Sequence, residues 1–172
     1  MQIIYSNKNI FLYPKTEHDA VVVTTNGVLK KDGKAVMGAG IAKSARDAFI
    51  GIDVKLGQML RAYGNHTAHL GKYNYNYMGS DIPMHILTMP TKHHWKDNSD
   101  INLIKRSAEE LMILANIIGL KTIYMPAPGC NNGHLDWETQ VKPILEPILD
   151  DRFIVVKNMD NTLLYQSMGM TK

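Results

Sequence analysis

Two stretches of this 172-residue sequence combine glycine with small and polar residues in a way that suits an anion. The first is Val36-Met37-Gly38-Ala39-Gly40-Ile41-Ala42, which runs into a segment with helical spacing. Glycines at a helix start let the backbone come close to a phosphate, and the N–H groups and helix dipole there favour negative charge. The second is Gly129-Cys130-Asn131-Asn132-Gly133-His134-Leu135-Asp136-Trp137. It follows an apolar strand and precedes another helical segment, so it too can form a nest of N–H groups. Two such loops in a chain of this size suit a ligand whose pyrophosphate lies between them; two ordinary connecting turns are the alternative. A dinucleotide fingerprint is not met, because it needs a third glycine at position 43, where Lys43 stands.

Other residues with chemistry in them have plainer readings. His93, His94 and His134 come without an HExxH motif or a cysteine pair, so no metal site and no cofactor is expected. Cys130 sits among apolar and glycine neighbours and reads as a small packed residue, not a nucleophile. Asp136 reads as a helix cap. Tyr73, Tyr75 and Tyr77 alternate, which makes one packed face of a strand, with stacking on bases as the other use of such a row. Trp95 and Trp137 read as core residues near a cleft. A lone lysine such as Lys92 is by default a solvated surface group.

The elements that must position these residues follow from periodicity. Asp19–Asn26 is a β-branched run and reads as a buried strand. Lys30-Lys31-Asp32-Gly33-Lys34 is a turn in which Asp-Gly supplies the positive φ. Ile41, Ala45, Ala48 and Phe49 share a helical face, and residues 54–63 form a second helix. Residues 73–77 and 84–89 are strands, the latter stopped by Pro90. Between Ser99 and Gly119 the apolar residues step by three and four, giving a helix capped by Ser99 or Asp100. Residues 121–126 and 152–157 are strands. Residues 136–149 have helical spacing that Pro143 and Pro147 should kink or break. Strands alternating with helices predict a three-layer α/β/α domain with a mixed, largely parallel central sheet, ligands sitting beyond the strands' carboxyl ends.

The bulk numbers agree with one globular domain: 45% apolar and 20% charged residues, and a formal net charge of +3 that mildly favours a polyanion. The single cysteine allows no internal disulfide. No apolar run reaches the roughly 18 residues that span a bilayer, so no membrane partner is expected and the chain reads as cytoplasmic.

Taken in order, Asp19–Asn26, VMGAGIA, PTKHHW at residues 90–95 and PAPGCNNGHLDW at residues 126–137 resemble a macro domain. The likeness is to the branch containing terminal ADP-ribose protein glycohydrolase and the antitoxin that strips ADP-ribose from DNA. It spans nearly the whole chain, so residues 1–158 are expected to form the macro domain and residues 159–172 a C-terminal tail. What the resemblance implies is ADP-ribose held above the sheet. Asn9 would lie near the adenine and Asn26 near the distal ribose, with Lys8, Thr24 and Thr25 also binding ADP-ribose. Gly38, Ala39, Gly40 and Ile41, with Gly129, Cys130, Asn131, Asn132 and Gly133, would wrap the diphosphate and distal ribose. Thr91 would stand beside the ligand and Lys92 would be catalytic. A neutral Lys92 amine would attack the anomeric carbon of an opened ribose, which requires burial or nearby cations, with His93, His94 and Lys96 as candidates. A charged Lys92 would instead stabilise the departing group.

The sequence also departs from the family pattern. Asn9 stands where many macro domains have an aspartate, and Ala42 where the commoner hydrolases have theirs. Gly133 stands where the protein-directed glycohydrolase has an aspartate and the DNA-directed branch a glycine, which tilts the substrate towards nucleic acid. Residues 28–35 are longer than in the antitoxin and are expected to reshape the entrance. The resemblance thus implies either a hydrolase acting on ADP-ribosylated DNA or protein, with single-stranded DNA and an ADP-ribosyltransferase toxin as partners, or a module that only binds ADP-ribose or a related nucleotide.

Overall fold

The computed structural model describes residues 1–159 and 168–169, so the expected tail falls almost wholly outside the described residues. The elements run β1 (Gln2–Tyr5), β2 (Asp19–Asn26), α1 (Gly40–Ala48), α2 (Ile52–Tyr63), β3 (His69–Tyr77), β4 (Ser80–Lys92), α3 (Ile101–Ile118), β5 (Thr122–Pro126), α4 (Lys142–Leu145) and β6 (Phe153–Lys157). They form one six-stranded sheet in the order β1-β6-β5-β2-β4-β3. Every neighbouring pair is parallel except β3 with β4. The predicted mixed, largely parallel sheet is what the chain forms.

β2 lies inside the sheet, and its alternation divides the core in two. Val21 and Val23 join Ala45, Phe49, Leu56, Leu60 and Ile86 beneath α1 and α2. Ala20 and Val22 join Leu87, Met89, Ile104, Leu111, Ile123 and Phe153 against α3, with Leu145 of α4. Both faces of the strand are thus apolar, the pattern of a parallel strand covered on each side. Asp100 caps α3 by accepting from the N–H groups of Asn102 and Leu103, and Gly119 ends it in the left-handed conformation at φ 76°. The proline-bearing segment breaks as expected. Trp137–Val141 is a π-helical turn started by Asp136, and α4 begins anew with Pro143 in its first turn, where a missing N–H costs nothing.

Three features differ from the sequence reading. β1 has only four residues, too short for periodicity to reveal, and is recruited by pairing with β6. β4 does not stop at Pro90 but runs on to Lys92. The Thr88 N–H points to the β3 side, donating to the Ala68 carbonyl, and Pro90, two residues on, faces the same way. No strand continues there, so the lost donor breaks no ladder bond; the Pro90 carbonyl instead accepts from Ser107 Oγ at 2.8 Å. The tyrosine row splits: Tyr73 and Tyr75 pack on Phe49 and Phe11, but Tyr77 is exposed.

The hairpin of residues 28–35 is closed by a Leu29–Ala35 bridge, with Gly33 at φ 85°. It docks on α2 at Gly57, where any Cβ would strike the Gly33 carbonyl. Ala35 donates to the Asp53 carbonyl at 3.0 Å. The hairpin is therefore packed down on a helix.

Candidate functional site

The carboxyl ends of β2, β4 and β5 open into a cavity of about 480 Å³, a size that suits a small-molecule ligand. A bulge shapes it. β2 and β4 pair in step as far as Thr25 with Pro90, but the next pair is Asn26 with Lys92, so Thr91 is an inserted residue. Such an insertion re-aims the side chain that follows. Thr91 is buried and its carbonyl takes the Asp100 N–H at 2.9 Å, while Lys92 lines the cavity.

Around Lys92 stand Thr24, Thr25 and Asn26 from β2, Gly38 to Ile41 at the start of α1, and Gly129, Asn131, Asn132 and Gly133 from the second loop. Asn26 braces the first loop: its amide donates to the Val36 carbonyl at 3.1 Å and its carbonyl accepts from Val28 N–H at 3.0 Å. Ala39 starts α1 without a side-chain cap, and Gly40 follows at φ 55°. The first N–H groups of α1 thus have no intrahelical partner and no cap, which leaves them for a ligand. In the second loop Leu135 N–H bonds back to the Gly129 carbonyl at 2.9 Å, and Ser99 N–H reaches the Gly133 carbonyl at 3.0 Å. A Cβ on Gly133 would overlap Ser99 Oγ and lie 2.6 Å from the Gly129 carbonyl.

Lys92 Nζ donates to the Asn132 carbonyl at 2.8 Å and to the Trp95 carbonyl at 3.5 Å. The lysine therefore joins the β4 end to the second loop. Two of the residues expected as its cationic neighbours have partners of their own. His93 Nε2 meets Asp100 Oδ2 at 3.0 Å, a hydrogen bond that holds the Asp100 carboxyl below the usual range, and Lys96 Nζ lies 5.0 Å over the Trp95 ring.

A second depression adjoins the first and shares Gly40, Ile41, Pro126, Ala127 and Asn131 with it. Lys8, Asn9 and Cys130 belong here and do not line the main cavity. Asn9 Oδ1 accepts from Phe11 N–H and its amide donates to Tyr75 Oη, each at 3.0 Å. Lys8 Nζ lies 4.6 Å over the Tyr13 ring. Cys130 is half-buried against the α3-side core, as a packed residue, and burial pushes its thiol up to about 11.

No protein-family model matches the chain. A DNA ADP-ribosyl glycohydrolase of Thermus aquaticus is 26% identical over 133 residues, which is 77% of this chain and 34% of that protein. The Mycobacterium tuberculosis protein of the same name is 34% identical over 58 residues, 34% of this chain and 16% of that one. The chain thus matches about a third of the length of one curated relative and less of the other. Among solved structures, the macrodomain of Mycobacterium tuberculosis DarG superposes with a TM-score of 0.68 at 24% identity, over 92% of this chain and 99% of that one. The chain has the fold of this macrodomain. Thermosipho africanus DarTG in complex with ADP-ribose superposes with a TM-score of 0.69 at 21% identity, over 92% of this chain and 42% of that one.

This fold gathers the predicted residues into two adjoining spaces instead of one. Thr24 to Asn26, both glycine loops, Thr91 and Lys92 converge on the main cavity; Lys8, Asn9 and Cys130 line its neighbour. Sequence reasoning did not find Ser99, Pro126 and Ala127 as lining residues. Ser99 looked like a helix cap, and Pro126-Ala127 carries no reactive group to draw notice. Trp95 is corrected more sharply. It is 49% exposed at the cavity and not part of the core, whereas Trp137 is buried. Among the described residues no three His, Cys, Asp or Glu side chains stand together as metal ligands, and no helix is long and apolar enough to cross a membrane.

Proposed function

We propose that this macrodomain binds ADP-ribose across the two depressions and hydrolyses its bond to a modified base in DNA, with Lys92 as the catalytic residue. The observation that carries this reading is Lys92 Nζ, 2.8 Å from the Asn132 carbonyl, where the β4 bulge brings it against the second glycine loop. Two loops with free N–H groups suit the diphosphate. The depression beside Asn9 then takes the adenine end and the cavity takes the distal ribose. An ammonium has three N–H donors; two go to the Asn132 and Trp95 carbonyls, and the third is left for the substrate. As the bond between the anomeric carbon and the base nitrogen breaks, the electron pair leaves with the nitrogen, which takes a proton from Lys92. Water adds to the anomeric carbon and gives up a proton, so the lysine is restored.

The crowding at Gly133 supports DNA over a protein carboxylate. The likeness ties an aspartate at this position to the protein-directed branch, and a Cβ here would meet Ser99 Oγ and the Gly129 carbonyl. An enzyme that attaches ADP-ribose to single-stranded DNA, an ADP-ribosyltransferase toxin, is the partner activity this substrate requires. A second reading, capture of ADP-ribose without turnover, draws support from the same lysine, whose amine is already held by two backbone carbonyls.

The deciding experiment is release of ADP-ribose from a modified base in single-stranded DNA, with a modified-glutamate protein in parallel. Lys92→Ala should bind ADP-ribose as the parent does while turnover falls by about a hundredfold or more, roughly 2.7 kcal/mol of transition-state stabilisation. Lys92→Arg should keep part of the activity if positive charge alone is what matters and lose it if the amine must give up a proton or attack carbon. Full activity of Lys92→Ala would defeat the mechanism, and an inactive parent would leave the capture reading.

A further inference from the structure

The turn that follows Lys92 has a feature the proposed reaction does not use. Trp95 is 49% exposed, yet it lines the cavity, and its own carbonyl accepts from Lys92 Nζ. A single exposed apolar side chain is ordinary. This one is held in a built position. The His94 ring stacks on it at 5.4 Å between centroids and 28° between planes. The turn is pinned by Lys96 N–H on His94 Nδ1 at 3.2 Å and by Asp97 N–H on the His94 carbonyl at 3.1 Å. Gly27 N–H, at the end of β2, donates to the His93 carbonyl at 3.1 Å. An indole is thus presented on a pinned turn beside the lysine, with the Lys96 ammonium over its ring at 5.0 Å.

We propose that Trp95 is the stacking platform for the nucleobase to which the distal ribose is bonded, with Lys96 pairing the adjoining phosphate. The proposal rests on the reading of Lys92 above: if Lys92 acts at the anomeric carbon, the base on that carbon leaves the cavity beside Trp95. A flat π face accepts any base, and binding then depends on stacking more than on hydrogen-bond readout. Lys96 rests on the ring only through a cation–π contact, which a base can replace while the ammonium turns to phosphate. Trp95 would be a specificity residue that separates modified DNA from free ADP-ribose.

The test is equilibrium binding in a Lys92→Ala background, which prevents turnover. The ligands are free ADP-ribose, a single-stranded oligonucleotide carrying one ADP-ribosylated base, and an ADP-ribosylated protein. Trp95→Ala should weaken the modified oligonucleotide about tenfold and leave free ADP-ribose unchanged. Trp95→Phe should recover most of the loss. Indole fluorescence should be quenched by the modified oligonucleotide and not by ADP-ribose, with that quenching absent in Trp95→Phe. Equal weakening for free ADP-ribose would make Trp95 a wall of the ADP-ribose site and overturn the proposal. An equal loss for the modified protein would assign the surface to polypeptide and overturn it as well. If the modified oligonucleotide binds no tighter than free ADP-ribose, the platform falls while the ADP-ribose reading stands. If Lys92→Ala still releases ADP-ribose, the Lys92 mechanism fails in the turnover assay, and the effect of Trp95→Ala is then read as KM against kcat on the modified oligonucleotide.

Discussion

The two glycine loops look alike as strings of residues and differ in what their glycines are for. In the first, nothing lies within 4 Å of a Cβ built on Gly38, and a Cβ on Gly40 would meet only the Asn132 amide at 3.5 Å. In the second, a Cβ on Gly129 would lie 2.9 to 3.1 Å from Ile104, Leu135 and Ser99, and one on Gly133 would overlap Ser99. The first loop is open towards the space a ligand would take. The second uses its glycines to fold against the start of α3, and only then can it present its N–H groups and receive Lys92 on the Asn132 carbonyl. A glycine beside a ligand can therefore answer to the ligand or to the protein's own packing, and substitution separates the two.

Gly133→Ala should have the largest effect on the fold. The added methyl meets a backbone carbonyl that cannot rotate away, and overpacking of this kind costs about 3 kcal/mol, or roughly 10 °C of melting temperature for a chain of this size. Ser99→Ala in the same background removes one obstacle but leaves the Gly129 carbonyl at 2.6 Å, so recovery should be partial. A melting temperature equal to the parent's would erase the contrast between the loops.

Gly40→Glu should do the reverse. The left-handed backbone at φ 55° makes a side chain cost about 1–2 kcal/mol, so the domain stays folded. The carboxylate then fills and repels the diphosphate position, and ADP-ribose affinity should drop by at least about a hundredfold, near 2.7 kcal/mol. Calorimetry with circular dichroism separates the two effects. Parent-like affinity in a folded variant would remove the first loop from the site.

The smallest effect lies away from both loops and sets the pH at which they should be compared. His69 Nε2 and His85 Nδ1 are 2.9 Å apart, and each imidazole is held below its ordinary 6.5, first by burial, then by the other histidine for His69 and by Lys72 for His85. Their native pKa values are depressed, so the unfolded chain takes up protons first as pH falls. The stability they contribute is complete above 6.5 and is lost as pH falls from there through the lowered native values. The melting temperature should decline over that window, and His85→Gln should flatten the decline. An unchanged profile would show that the pair does not titrate with folding.

Much of this arrangement is written locally. The run Asp19–Asn26, the Asp100 cap and Gly119 stop of α3, and the Pro143 break each follow from side-chain stereochemistry and short-range hydrogen bonds. The glycine loops were legible because glycine's backbone freedom is a property of the residue itself. The short β1, the passage of β4 through Pro90 and the Thr91 bulge were not, since each depends on which strand lies alongside. The same holds for the site. The residues by themselves named both loops, and the family resemblance pointed to Lys92, but His93, His94 and Lys96 were expected beside the amine because they are close in sequence. Only the fold turned His93 to Asp100, laid Lys96 on an exposed Trp95 and left two backbone carbonyls holding the lysine. Residue type fixes what a group can do, while its partners come from segments far apart in the chain, and packing alone brings those together.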